Sequence, residues 1–125
     1  PTEAEWEYAA RGGNKSKGYI YSGSNYFNEV GWLVKYAQAQ TTVFVGQKQP
    51  NELGLYDMTG NVGEFCLDWY SYPLVISNTN NPQGPSTGTE KVIRGWGTGS
   101  TIGRSSMQPT GSYSNTVGFR LVLDN

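Results

Sequence analysis

Two acids, Asp57 and Glu64, bracket a glycine-bearing turn in the stretch 51–70, which opens on polar turn residues and closes on an aromatic run. Carboxylates and backbone carbonyls can converge at such a turn on a hard cation such as calcium. The same residues also make a tight bend, in which the glycines supply unusual φ angles and the acids are solvated. On residue types alone the bend is the simpler reading. Three arginines, Arg94, Arg104 and Arg120, form a second chemical set. Guanidinium forks could recognise an anionic ligand. They could equally pair with Asp57, Asp68 or loop carbonyls and hold irregular backbone; this structural role is the one expected. The single cysteine, Cys66, excludes an internal disulfide and suits a small buried hydrophobe.

The elements that must position these groups are short. Thr2 and Glu5 fit a capping box at the start of a helix over 2–11, with Gly12-Gly13 as its stop. Ala4, Trp6, Tyr8, Ala9 and Ala10 are candidates for its buried face, and Trp6 is expected as a core anchor rather than a stacking platform. Short strands are expected at 19–21, 41–45, 65–72 and 91–95. A further strand over 117–123 would place Phe119, Leu121 and Leu123 on one face and turn Arg120 to the other. Val30–Val34 is an apolar patch, and 77–89 is a polar surface loop punctuated by Pro82, Gly84 and Pro85. The interval 96–116 has no Asp, Glu or Lys and no usable period. Held between strands, it is expected as an ordered loop displayed at the surface.

Composition narrows the classes. Only 36% of the 125 residues are apolar, and 17 are glycine, which points to a loop-rich fold. The nine tyrosines and four tryptophans can build a core from few residues. A net charge of −1 and no basic stripe give nucleic-acid binding no electrostatic support. No apolar run has the length of a membrane span. The sequence starts at what reads as a helix N-terminus, without an initiator methionine, so a piece of a longer domain is expected.

Four segments, 1–13, 51–70, 92–95 and 117–122, resemble in order and spacing the formylglycine-generating enzyme family, also called the sulfatase-modifying factor family. The resemblance implies an α+β, C-type-lectin-like fold, loop-rich with a small antiparallel sheet. It also implies that residues 1–125 form one domain, the C-terminal portion of a larger one. In that family the turn binds calcium. By motif position Asp57 and Glu64 would give side-chain oxygens, and Gly60 and Val62 backbone carbonyls. This makes the cation the favoured reading of the turn. An extracellular or cell-surface location is favoured on the same ground.

Active members bind copper(I) through two cysteines between the Arg-Gly-Gly and Gly-Phe-Arg motifs, and soft thiolates suit that metal. The corresponding interval here has no cysteine, and there is no histidine anywhere for an iron site. No copper is therefore expected, and a non-enzymatic domain is. The alternative is a formylglycine-generating-type oxidoreductase, or a degenerate pseudoenzyme, whose catalytic groups are lost or lie outside this chain. Two departures matter. The family's Gly-Asn-Val-Trp-Glu-Trp becomes Gly60-Asn-Val-Gly-Glu-Phe65, and its Arg-Gly-Gly-Ser-Trp becomes Arg94-Gly-Trp-Gly-Thr98. Losing a ring at 63 costs about 2–3 kcal/mol unless another side chain fills the space. Change concentrated here resembles the variable proteins of diversity-generating retroelements, which diversify surface residues just before a Gly-Phe-Arg-Leu-Val-type strand. The implied contact residues are Trp96, Thr98, Ser100, Thr101, Met107, Gln108, Thr110, Ser112, Tyr113 and Asn115. Their Ser, Thr, Asn and aromatic content suits adaptable recognition of a protein or carbohydrate ligand.

Overall fold

The computed structural model describes residues 1–33, 42–76, 79–97, 99–109 and 115–123. Helix α1 spans Glu3–Ala10. The Thr2 hydroxyl accepts from the Glu5 amide and the Glu5 carboxylate accepts from the Thr2 amide, so the expected capping box is formed. Arg11 caps the helix and Gly12, at φ 90°, follows it and turns the chain away. Only Trp6 and Ala10 of α1 are buried; Tyr8 is 60% exposed.

After a short 3-10 turn come helix α2 (Phe27–Val30) and strand β1 (Gly31–Trp32). Strand β2 (Thr59–Gly60) pairs with β1 in parallel. Gly60 is required here: at φ 75°, a Cβ would meet the Trp32 carbonyl oxygen at 2.2 Å. The main sheet holds β3 (Gly63–Trp69), β4 (Lys91–Arg94), β5 (Arg104–Met107) and β6 (Val117–Gly118) in the order β5-β4-β3-β6. The β5-β4-β3 part is antiparallel, and β6 joins β3 in parallel. Trp6, Ala10, Met58, Cys66 and Val92 pack between α1 and the sheet as the core. Fully burying a side chain the size of Met58 or Val92 stabilises by about 1.5–3 kcal/mol.

Several expectations need correction. Residues 19–21 form only an isolated bridge, Tyr21 to Ser24. Residues 42–45 are not a strand; Thr41 lies outside the described residues. The strand expected at 65–72 starts earlier, at Gly63, and ends at Trp69; it alternates, so Leu67 is 68% exposed. The interval 96–116 is not without regular structure, since β5 lies inside it. The last strand is also shorter. Pairing with β3 stops after Gly118, and Phe119, Leu121 and Leu123 are 73%, 86% and 85% exposed. β6 is the outer strand, with no described strand beyond it to cover them.

Candidate functional site

The backbone around β2, from 57 to the start of β3, turns tightly. Asp57 and Asn61 both take left-handed backbone, φ 57° and 61°. Asn61 exchanges two hydrogen bonds with Val43, accepting at 3.1 Å and donating at 3.2 Å. Asp57 Oδ2 accepts from the Gly46 amide at 2.7 Å, whereas its Oδ1 is buried with no hydrogen-bond partner. A buried bare carboxylate oxygen is costly, and a hard cation would relieve it.

Glu64 is arranged differently. It is buried, and its Oε2 accepts from Trp6 Nε1 at 2.6 Å and from Arg120 Nε at 2.6 Å. Its Oε1 accepts from Arg120 Nη2. The fork neutralises this carboxylate and fixes its orientation. Arg120 also donates to the Tyr56 carbonyl at 3.3 Å, closing the turn from the other side. The donor set therefore fits a cation at Asp57 and does not fit one at Glu64, where a guanidinium already sits. Among the described residues no group of three or more acidic, histidine or cysteine side chains is placed to hold a metal ion between them.

The other two arginines belong to a ladder under the 96–116 interval. Arg94 is fully buried, with Nη1 on Glu3 at 2.8 Å and Nη2 on Glu7 at 2.9 Å, its guanidinium 5.0 Å from the Trp6 ring centre. Its Nη2 also donates to the Thr101 carbonyl. Arg104 grips Glu3 through Nε and Nη2, and that carboxylate raises the Arg104 pKa above its ordinary value against the opposing effect of burial. Arg11 closes the far end on Glu7 at 2.8 Å. The arginines are structural, as expected, but their acidic partners are Glu3, Glu7 and Glu64 rather than Asp57 and Asp68. Asp68 instead accepts from the Glu3 amide at the start of α1 and from the Gly84 amide. The sequence did carry one signal for this: Glu3 and Glu7, spaced i,i+4, share a helix face.

The residues expected to contact a ligand are placed unequally. Trp96 is half-buried: a Cβ at Gly63 would lie 3.3 Å from its ring and 2.6 Å from Ile93 Cγ2. Ile93 and the Trp96 ring together therefore crowd the space in front of Gly63. Thr101 is only 4% exposed, and its amide donates to the Ile20 carbonyl at 3.1 Å. With its own carbonyl on Arg94, it is an anchor of the interval rather than part of its outer surface. Ser100 and Met107 are half-buried, Met107 lying in β5 opposite Lys91. Gln108 and Asn115 are exposed. Thr98, Thr110, Ser112 and Tyr113 lie outside the described residues. Cys66 is buried in the core, and desolvation pushes its thiol up to about 12. Such a thiol stays protonated and is a poor nucleophile or metal ligand at neutral pH.

Comparison with known proteins gives consistent relatives. Residues 1–125 match the family described as sulfatase-modifying factor enzyme 1-like domain. The formylglycine-generating enzyme of Streptomyces coelicolor is 36% identical, over 99% of this chain and 46% of its own length. The chaperone protein LppX of Paenibacillus barcinonensis is 45% identical, over 63% of this chain and 34% of its own. Among solved structures, Treponema denticola variable protein 1 superposes with a TM-score of 0.74 at 32% identity, covering 95% of this chain and 45% of that one. CarF gives 0.71 at 34% identity, covering 95% and 44%. The chain spans less than half the length of each of these relatives. No described helix is long and apolar enough to cross a membrane.

Proposed function

The chain belongs to the sulfatase-modifying factor enzyme 1-like domain family, and we propose that it is a non-enzymatic, ligand-binding member whose 96–116 interval is the recognition surface. Its fold is the α+β, C-type-lectin-like fold of the formylglycine-generating enzymes and of a variable protein. The observation that carries the reading is how the interval is held. Both backbone polar groups of Thr101 and the Arg104 guanidinium tie it down from beneath, while Gln108 and Asn115 face outward. A fixed base under exposed polar residues is the arrangement of an adaptable binding loop on a rigid scaffold. The lone, protonated Cys66 thiol supports the non-enzymatic part, because a copper(I) site needs two thiolates.

The ligand is a protein or carbohydrate surface at the cell exterior. Calcium stabilises the scaffold by engaging the bare Asp57 oxygen with the Gly60 and Val62 carbonyls, while Glu64 stays with Arg120. Sequencing the locus across related isolates tests the recognition surface. Substitutions should concentrate at Ser100, Met107, Gln108 and Asn115 and spare Thr101 and Arg104. An even scatter along the chain would sink the idea. The enzymatic alternative is tested by supplying copper(I), oxygen and a cysteine-containing peptide, which should yield no formylglycine.

A further inference from the structure

We propose that the groove between α1 and residues 74–76 and 82–84 binds an apolar residue carrying a free carboxylate, such as the C-terminal residue of a peptide. The site goes beyond the recognition surface and shares only Arg104 with it. The groove has a volume of about 410 Å³, within the usual range for a small-ligand site. One wall is α1, where Ala4 and Tyr8 lie one turn apart. The other wall is mainly apolar: Pro82, with Leu74 and Ile76 at 53% and 56% exposure, beside Gln83 and Gly84. An apolar side chain entering here would cover both large aliphatic residues and the Tyr8 ring.

The floor decides the ligand's charge. Glu3, Glu7 and Asp68 line it, but each of their six oxygens already has a donor. Those of Glu3 and Glu7 are taken by Arg94, Arg104 and Arg11. Those of Asp68 are taken by the Glu3 and Gly84 amides. A ligand ammonium would have to compete with these donors. Spare hydrogen-bonding capacity lies instead on Arg11. Its Nε and Nη2 both reach a single Glu7 oxygen, and its side chain is 45% exposed at the end of the groove. A guanidinium carries five N–H donors, so Arg11 retains a face for a planar anion. A carboxylate matches that fork.

The test is a titration of the isotopically labelled chain, followed by amide shifts of Ala4 and Gly84, with N-acetylphenylalanine and its C-terminal amide. The acid should shift both signals saturably, and the amide should bind about 10-fold more weakly. Arg11→Gln should remove that preference by weakening the acid alone. Ile76→Asp should abolish binding of both. A tripeptide ending in phenylalanine, binding more tightly than the single residue, would identify a peptide terminus as the source; equal or weaker binding would identify the free acid. Equal affinity for acid and amide, an acid preference that survives Arg11→Gln, or binding that survives Ile76→Asp would each overturn the proposal. None of the substituted residues lies in 96–116, so failure here leaves the recognition surface standing.

Discussion

Exchanging residues 63 and 96 tests whether Trp96 has taken over the space of the ring missing from β3. A Cβ at Gly63 would sit 2.6 Å from Ile93 Cγ2 and 3.3 Å from the Trp96 ring, and Ile93 is fully buried. Gly63→Trp alone should therefore be destabilising by about 3 kcal/mol or more, since its side chain would press on both Ile93 and the Trp96 ring. A Trp side chain buries roughly 150–250 Å² when covered. At half burial, Trp96→Gly forfeits about 100 Å², or about 2–3 kcal/mol at ~25 cal/mol per Å². The double exchange, Gly63→Trp with Trp96→Gly, puts one ring back in the space, and the damage should fall well below the sum of the two. Urea unfolding followed by far-UV circular dichroism, which does not depend on the tryptophans as reporters, gives the four stabilities of the cycle. A coupling of about 2 kcal/mol in the rescuing direction is expected, above the ~0.5 kcal/mol scatter of independent sites. Additive effects would refute the shared space, and with it the account of Trp96 as packing rather than ligand contact.

Three further outcomes follow from the site. Glu64→Gln leaves Arg120 without its counter-charge in a largely buried setting and should cost about 3 kcal/mol, part of it recovered by adding Arg120→Met; a change within ~0.5 kcal/mol would show the pair to be incidental. If calcium sits at Asp57, calcium at 100 times its Kd should add about 2.7 kcal/mol, chelation should lower the Tm, and Asp57→Asn should remove that response; a Tm indifferent to calcium and chelator rules the ion out. The Cys66 thiol has a folded pKa of about 12 against 9.0. Below pH 9 both states hold the proton and nothing is lost. From pH 9 to 12 only the unfolded state ionises, so stability falls as pH rises through that window. Cys66→Ala should flatten the alkaline limb of the stability profile by that amount, and an unchanged limb would contradict the buried thiol.

What the sequence disclosed follows the range of the forces involved. Helix α1 was legible because its signals are local: a capping box four residues long and a glycine stop. Strand β4 was legible from its β-branched Val92-Ile93. Strand β5 was not, because Arg-Ser-Ser-Met has little intrinsic β preference; it is a strand because β4 offers it a partner from Lys91 to Arg94. The turn at 57–64 stood out through its glycines and acids. The role of Glu64 did not, since its partner lies 56 residues away. Likewise the sequence showed a ring lost at 63 and a ring gained at 96, but only the packing puts the two positions in contact.

The ladder beneath 96–116 bears on how recognition and stability could be separated in so small a core. Arg94 and Glu3 are nearly or fully buried, so breaking their pairing is costly. The interval is held by the Arg104 fork on Glu3 and by the Thr101 backbone, whose amide donates to Ile20 and whose carbonyl accepts from Arg94. Backbone anchors do not depend on which side chains flank them. Exchanging Ser100 or Gln108 for another polar residue should therefore leave both bonds in place and move the Tm by no more than the ±0.5 kcal/mol typical of surface changes. Arg94→Lys should behave in the opposite way. One ammonium cannot reproduce the planar fork that spans Glu3, Glu7 and the Thr101 carbonyl. It should lower the Tm and loosen the interval together, visible as faster hydrogen exchange at the Thr101 amide. If Arg94→Lys lowered the Tm while that amide stayed fully protected, the ladder would be a support for α1 alone, and the interval would owe its order to β5.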